Sequence, residues 1–261
     1  MLSEDLTIIE GMASRKGEQV PFKHPISIKE NPKVIDWLTL TKKEMRTSLA
    51  EWLTEAIEEL NLFYLNETLD TIILLEWIAK YPLQLIVVAI QIIWTQSVDK
   101  AFFTIELDDH SNQIPLNNSL DFTLRALDVL ADTVLADLPP IQRKKCEHLI
   151  TELVHQRDLI RQLLKNKVSS PKDFEWLHQM RFYFNASLED ALSRLTIHMA
   201  NAQFLYGHEY LGVPDRLVQT PLTDRCYLTL TQALSLQLEN SLSDRVSLWK
   251  FRLYSFFNFF H

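Results

Sequence analysis

Glycine is nearly missing from this sequence. The 261 residues contain four, Gly11, Gly17, Gly207 and Gly212, and none follows Gly212. At the usual share of roughly 7% a chain of this length would carry several times more. The shortage favours long helices and excludes a glycine-rich phosphate cradle anywhere beyond Gly212. Cysteine is just as scarce. Cys146 and Cys226 lie far apart and make neither a disulfide framework nor a zinc site, which points to a reducing compartment. Basic residues are not in excess either: 26 Lys and Arg against 34 Asp and Glu give a formal charge of −8, which favours solubility and gives no general reason to expect nucleic acid. H-E-x-x-H, G-x-S-x-G and G-x-x-x-x-G-K-[ST] are all absent, and no catalytic nucleophile–base arrangement is legible. The start, MLSEDLTIIEGM, lacks the basic end and apolar core of a secretory signal, so a cytosolic location is expected.

Helical periodicity is what the sequence does have. Residues 1–32 are punctuated by Pro21, Pro25 and Pro32 and read as extended chain. Val34, Leu38, Met45, Leu49, Trp52, Leu53, Ala56, Ile57 and Leu60 then recur at three- and four-residue steps, which predicts an amphipathic helix. Residues 69–98 are apolar almost all round. Tyr81 to Val98 carries no charge and just reaches membrane-span length, but Pro82 interrupts it and Glu76 and Lys80 flank it. A proline-kinked helix buried in a helical core is the expectation. Residues 99–115 read as a polar loop, and helices are predicted at about 118–138 and 141–168, the first ended by Pro139-Pro140 and the second by Pro171. Period two then replaces period three to four. Met180, Phe182 and Phe184 alternate with Arg181 and Tyr183, and Leu195, Ile197 and Met199 alternate with Thr196 and His198, which predicts short antiparallel strands. Thr223 is the predicted N-cap of a last helix running to about Leu238, with Leu222 and Tyr227 placed for a hydrophobic staple.

Candidate chemistry is thin. Two Glu-x-x-His pairs, Glu152 with His155 and Glu175 with His178, have the spacing used in di-iron carboxylate bundles, but no inward glutamates accompany them on other helices. They read as solvent-facing positions, and no metal site is expected. Arg143, Lys144, Lys145, Arg157, Arg161, Lys165 and Lys167 are interspersed with Glu147, Glu152 and Asp158, as on a solvated helix face. Trp249 to Phe260 holds seven aromatics, spread around the helix rather than along one face.

Four blocks carry a specific resemblance: WLTLTKKEMRTSLA (37–50), EHLITELVHQRD (147–158), KDFEWLHQMRFYF (172–184) and RLVQTPLTDRCYLTLTQAL (216–234). In this order, and from about Gly11 to Leu234, the chain resembles the cytoplasmic dynein heavy chains. The resemblance implies a mainly α fold of packed long helices with a small antiparallel β element near 179–213 and a final helix that begins an AAA+ domain. It implies that 1–170 is the C-terminal part of the linker, the mechanical lever lying across a ring of AAA+ modules. Residues 171–213 would connect it to the first module, AAA1. Residues 214–238 would be that module's entry loop and first helix, with 239–261 a divergent aromatic tail. Leu217, Val218, Thr220, Pro221 and Leu222 correspond to the loop beside the adenine of ATP. Walker A and Walker B cannot be placed, so the resemblance implies an ATP- and Mg-dependent microtubule motor as parent and a chain that is inactive alone, a fragment cut before Walker A. The parent's partners would be the AAA+ ring of the same chain, a second heavy chain, intermediate and light chains, and microtubules. No nucleic acid and no membrane span are expected. The alternative, of another class, is a helical interaction or membrane-associated protein anchored by 72–94 or the aromatic tail.

Overall fold

In the computed structural model, which describes residues 1–3, 7–30, 33–65, 71–107, 113–135, 137–214 and 220–236, the extended N-terminal stretch forms a hairpin. Strands β1 (Ile8–Ala13) and β2 (Gln19–Ser27) pair antiparallel, with a register shift between Ile9 and Gly11. Gly11 sits at that irregularity because a Cβ there would meet the Val20 carbonyl oxygen at 2.4 Å. These strands agree with the extended chain expected over residues 1–32. Val20 and Phe22 alternate inward along β2 and turn the hairpin into part of the core.

Helix α1 (Val34–Leu65) has 32 residues, about 48 Å at 1.5 Å per residue. Leu49, Leu53, Ala56, Ile57 and Leu60 face inward as their spacing predicts, against β2 and later helices. Its first turns do not follow the same stripe. Val34 and Leu38 are 58% and 49% exposed. The apolar run 69–98 is two helices, not one. Pro82 has no N–H to continue the ladder and restricts Tyr81 before it, so α2 (Thr71–Lys80) stops and α3 (Leu83–Leu107) starts afresh. Residues 99–107 continue α3 instead of forming a loop, because Ala101, Phe102 and Ile105 carry the buried stripe on from Val98. Helix α3 is long and apolar enough to cross a membrane, yet 72% of its most apolar window is buried inside this fold. It is the central core helix, packed by α1, α4 (Ile114–Leu135), α5 (Pro140–Lys165) and β3 (Arg181–Phe184).

On α4 the buried stripe mixes small and polar residues with leucines. Leu116, Ser119, Thr123, Ala126, Leu130 and Thr133 are buried, and Leu120, Leu124 and Leu127 are half-buried. Thr123 and Thr133 tolerate this by donating their hydroxyls to the carbonyls of Ser119 and Val129. A second apolar cluster gathers Trp94, Phe102, Leu116, Ile160, Leu163 and Trp176, the last on the single turn α6 (Phe174–Leu177). Strands β3, β4 (Leu195–Met199) and β5 (Ala202–Leu205) form an antiparallel sheet in that order. Leu195, Ile197 and Met199 point inward as predicted. On β3 Arg181 is buried beside Phe182, contrary to a simple alternation. The Phe182 N–H donates to Thr95 Oγ1 at 3.1 Å and pins this sheet to α3. The fold is mainly α with small antiparallel sheets, as expected, and ends in helix α7 (Pro221–Ser235).

Candidate functional site: the strap into the last helix

Between β5 and α7 the chain crosses the body as a strap, residues 206–214, without regular structure. Polar side chains from distant elements fix it. Gln84, on the first turn of α3, donates from Nε2 to Tyr206 Oη at 2.6 Å and to the Glu209 carbonyl at 2.8 Å, and its Oε1 accepts from the Leu211 N–H at 3.1 Å. Arg46 of α1 donates from Nε to the Gly207 carbonyl at 2.8 Å. Gly212 takes φ +68°, and a Cβ there would strike Ser14 at 2.8 Å, so the strap can lie against the hairpin only with glycine at this point.

Below the strap lies a buried polar junction at the α2–α3 break. Glu18 of the hairpin turn is 4% exposed. Its Oε1 accepts from the Leu83 N–H at 2.8 Å, an otherwise unpaired donor at the start of α3, and its Oε2 accepts from Tyr210 Oη at 3.0 Å. Lys145 of α5 completes the junction. Its Nζ donates to the Ile78 and Tyr81 carbonyls at 3.1 and 2.6 Å, the unpaired C-terminal end of α2, and lies 3.8 Å from Glu18. Burial pulls the Lys145 ammonium below its ordinary pKa, and the Glu18 carboxylate works against that pull. Burial, and then Glu18, hold the Tyr210 hydroxyl above its ordinary range. One junction thus ties the hairpin, both helices at the proline break, α5 and the strap. Lys145 is not on a solvated face. Lys145, His148, Glu152 and Gln156 form a buried polar stripe on α5 alongside the apolar one of Cys146, Leu149, Leu153 and Ile160. The three- and four-residue spacing of that stripe was readable, but residue type alone placed it outside.

Helix α7 begins at Pro221, and its N-cap is Thr220 rather than the predicted Thr223. The two threonines form a reciprocal capping box. Thr220 Oγ1 accepts from the Thr223 N–H at 3.3 Å, and Thr223 Oγ1 accepts from the Thr220 N–H at 2.8 Å. Leu222 is 71% exposed and takes no part in a staple. Of the five residues expected beside adenine, Thr220, Pro221 and Leu222 are exposed at this helix start, while Leu217 and Val218 lie outside the described residues. The helix touches the body along β5 and at the end of β4, where Gln232 Nε2 donates to the Met199 carbonyl at 3.0 Å.

A small cavity of about 30 Å³ separates α7 from the body, lined by Trp94, Glu152, His155, Gln179, Asp224 and Tyr227 among others. Burial pushes the His155 imidazole down to about 4 and raises the Asp224 carboxyl. Glu152 is buried rather than solvent-facing, with Gln156 donating to it at 3.1 Å. His178 is stacked on Phe174 at 5.0 Å. Among the described residues no three His, Cys, Asp or Glu side chains are placed to hold a metal ion. The aromatic tail from Trp249 to Phe260 lies outside the described residues.

The strap and α7 coincide with a family match. A family model described as the hydrolytic ATP binding site of dynein motor region matches residues 206–244. Over 241 residues the chain is 47% identical to a cytoplasmic dynein heavy chain of Drosophila melanogaster, covering 92% of this chain and 5% of that protein. A cytoplasmic dynein heavy chain of Dictyostelium discoideum is 50% identical over 234 residues, covering 89% and 5% respectively. An axonemal heavy chain, dynein axonemal heavy chain 5 of Rattus norvegicus, is 36% identical over 230 residues, covering 88% and 6%. The chain therefore spans only about 5% of the length of the curated relatives it matches. Over about nine-tenths of its length it is homologous to one segment of the dynein heavy chains, cytoplasmic and axonemal alike.

Proposed function

We propose that this chain is the C-terminal part of a dynein linker together with the entry to the first AAA+ module, and that it transmits movement rather than generating it. The observation that carries this reading is the strap. A continuous stretch matching the ATP-site family begins at Tyr206, while its backbone is fixed by Arg46 and Gln84 from two long helices of the body. A lever needs stiffness, and two apolar clusters threaded by the central helix α3 supply it. The parent protein on this reading is an ATP-driven microtubule motor of the cytoplasm. Its partners would be its own AAA+ ring, a second heavy chain, intermediate and light chains, and microtubules. Burial of most of α3 favours this over a membrane-anchored protein.

The residues present fit only the edge of a nucleotide. Pro221 and Leu222, exposed beside the N-cap, offer a small apolar wall to a flat adenine ring. ATP and Mg bind and react chiefly through a phosphate loop and acidic metal ligands, and the 261 residues contain no glycine beyond Gly212 to make such a loop. No hydrolytic step is assigned to them. Purified chain is expected to release no phosphate from Mg-ATP above the buffer rate in a coupled-enzyme assay. Turnover that scales with protein concentration and survives repurification contradicts the reading.

A further inference from the structure

His208 lies in the middle of the strap and is 1% exposed, yet neither ring nitrogen has a hydrogen-bond partner. Its backbone adopts φ +51°, an uncommon conformation for a residue with a side chain. The ring packs edge-on against Tyr206, 4.8 Å between centroids. Strap contacts flank it on both sides: Gly207 to Arg46, and Tyr206, Glu209 and Leu211 to Gln84.

We infer that His208 makes the strap acid-labile: protonation of its buried ring releases residues 206–211 from α1 and α3 while the rest of the body stays packed. A neutral imidazole fits this site as a flat apolar ring. An imidazolium would be a buried cation without an acceptor, and the charge that faces it from α1 is the Arg46 guanidinium. Asp190, the N-cap of the short 3-10 turn Ala191–Ser193, is the opposing charge, but its carboxylate already accepts from Ser193 Oγ at 2.6 Å and Leu192 N at 3.2 Å. Glu209 points its exposed side chain to solvent. Tyr206 is held protonated, its hydroxyl pushed up to about 12 by burial.

The sign follows from the same geometry. Burial, with Arg46 adding to it, pushes His208 down from 6.5 to about 4. A group whose pKa is depressed in the closed state contributes its full stability above its ordinary pKa. That contribution is lost as pH falls from about 6.5 toward 4. At pH 5 the closing equilibrium of the strap should weaken on the order of tenfold. Because the strap is the covalent path from β5 to α7, its release would uncouple the last helix from the body. This inference rests on packing and charge, not on the family assignment, so either can fail without the other.

The test is amide hydrogen exchange of the whole chain at pH 7 and pH 5, corrected for intrinsic rates, with His208→Phe and His208→Leu beside the natural sequence. The expected result is loss of protection at 206–211, on the order of tenfold, in the natural chain alone. Amides of α3 and α4, which carry no histidine, should keep theirs. Unchanged strap protection at pH 5 overturns the inference. So does an equal loss in both variants, or a loss spread evenly over the body.

Discussion

Replacing Lys145 with methionine is expected to lower the unfolding free energy by about 3–5 kcal/mol, the range for stranding one partner of a buried ion pair. Methionine keeps the unbranched stem but removes the three donors of the ammonium. The Ile78 and Tyr81 carbonyls at the end of α2 lose their partner. Glu18 keeps its bonds from Leu83 and Tyr210 but becomes an uncompensated carboxylate at 4% exposure. Adding Glu18→Gln should recover part of the loss, because it removes the stranded charge while an amide oxygen can still accept from Leu83. Urea unfolding followed by circular dichroism gives both values. A single-variant loss below about 1 kcal/mol, the range of exposed pairs, would show that the junction is open to water and does not hold the proline break.

A comparable effect is expected at the other end of the body. Trp176 is fully buried on a one-turn helix, with the rings of Trp94 and Phe102 at 5.3 and 5.8 Å and its indole N–H donating to Asp99 Oδ1 at 2.8 Å. Truncation to alanine removes one of the two tryptophans of the second cluster and should cost about 3–5 kcal/mol, as for other buried aromatics. Trp176→Phe should cost less, since most of the apolar volume stays, but it leaves Asp99 without this donor. Thermal unfolding of the two variants beside the natural chain checks the order. Equal losses would mean the hydrogen bond outweighs the packing, contrary to this account.

Much of this architecture was legible because period and residue type agree in it. The inward set of α1 from Leu49 to Leu60, the alternation on β4 and the start of α5 after Pro139 follow from spacing and proline chemistry alone. The failures share a cause. Tertiary packing reassigned residues whose type suggested solvent or loop. Residues 99–107 carry enough charge to read as a loop, yet Ala101, Phe102 and Ile105 keep the helical stripe going. Lys145 reads as surface, and Gln84 is a lone polar residue in an apolar run, yet each fills the unpaired backbone groups created by the Pro82 break or by the strap. Such demands arise only once distant segments meet. Thr220 was missed as N-cap because Thr223 offers the same chemistry three residues on, and the two act as a pair. The candidate site was legible mainly through resemblance. The residues that hold the strap, Arg46, Gln84, Glu18 and Tyr210, have no motif in sequence.

On the proposed function, this body carries α7 as the lever of a dynein motor. The most direct measurement is a chimera in which residues 11–234 of this chain replace the homologous segment of the Dictyostelium discoideum heavy chain, 50% identical to it. Surface-bound chimera should drive microtubule gliding in ATP, and the added substitution Gln84→Leu should slow gliding by loosening the strap while leaving microtubule binding intact. A folded chimera that binds microtubules but moves none of them would contradict the account.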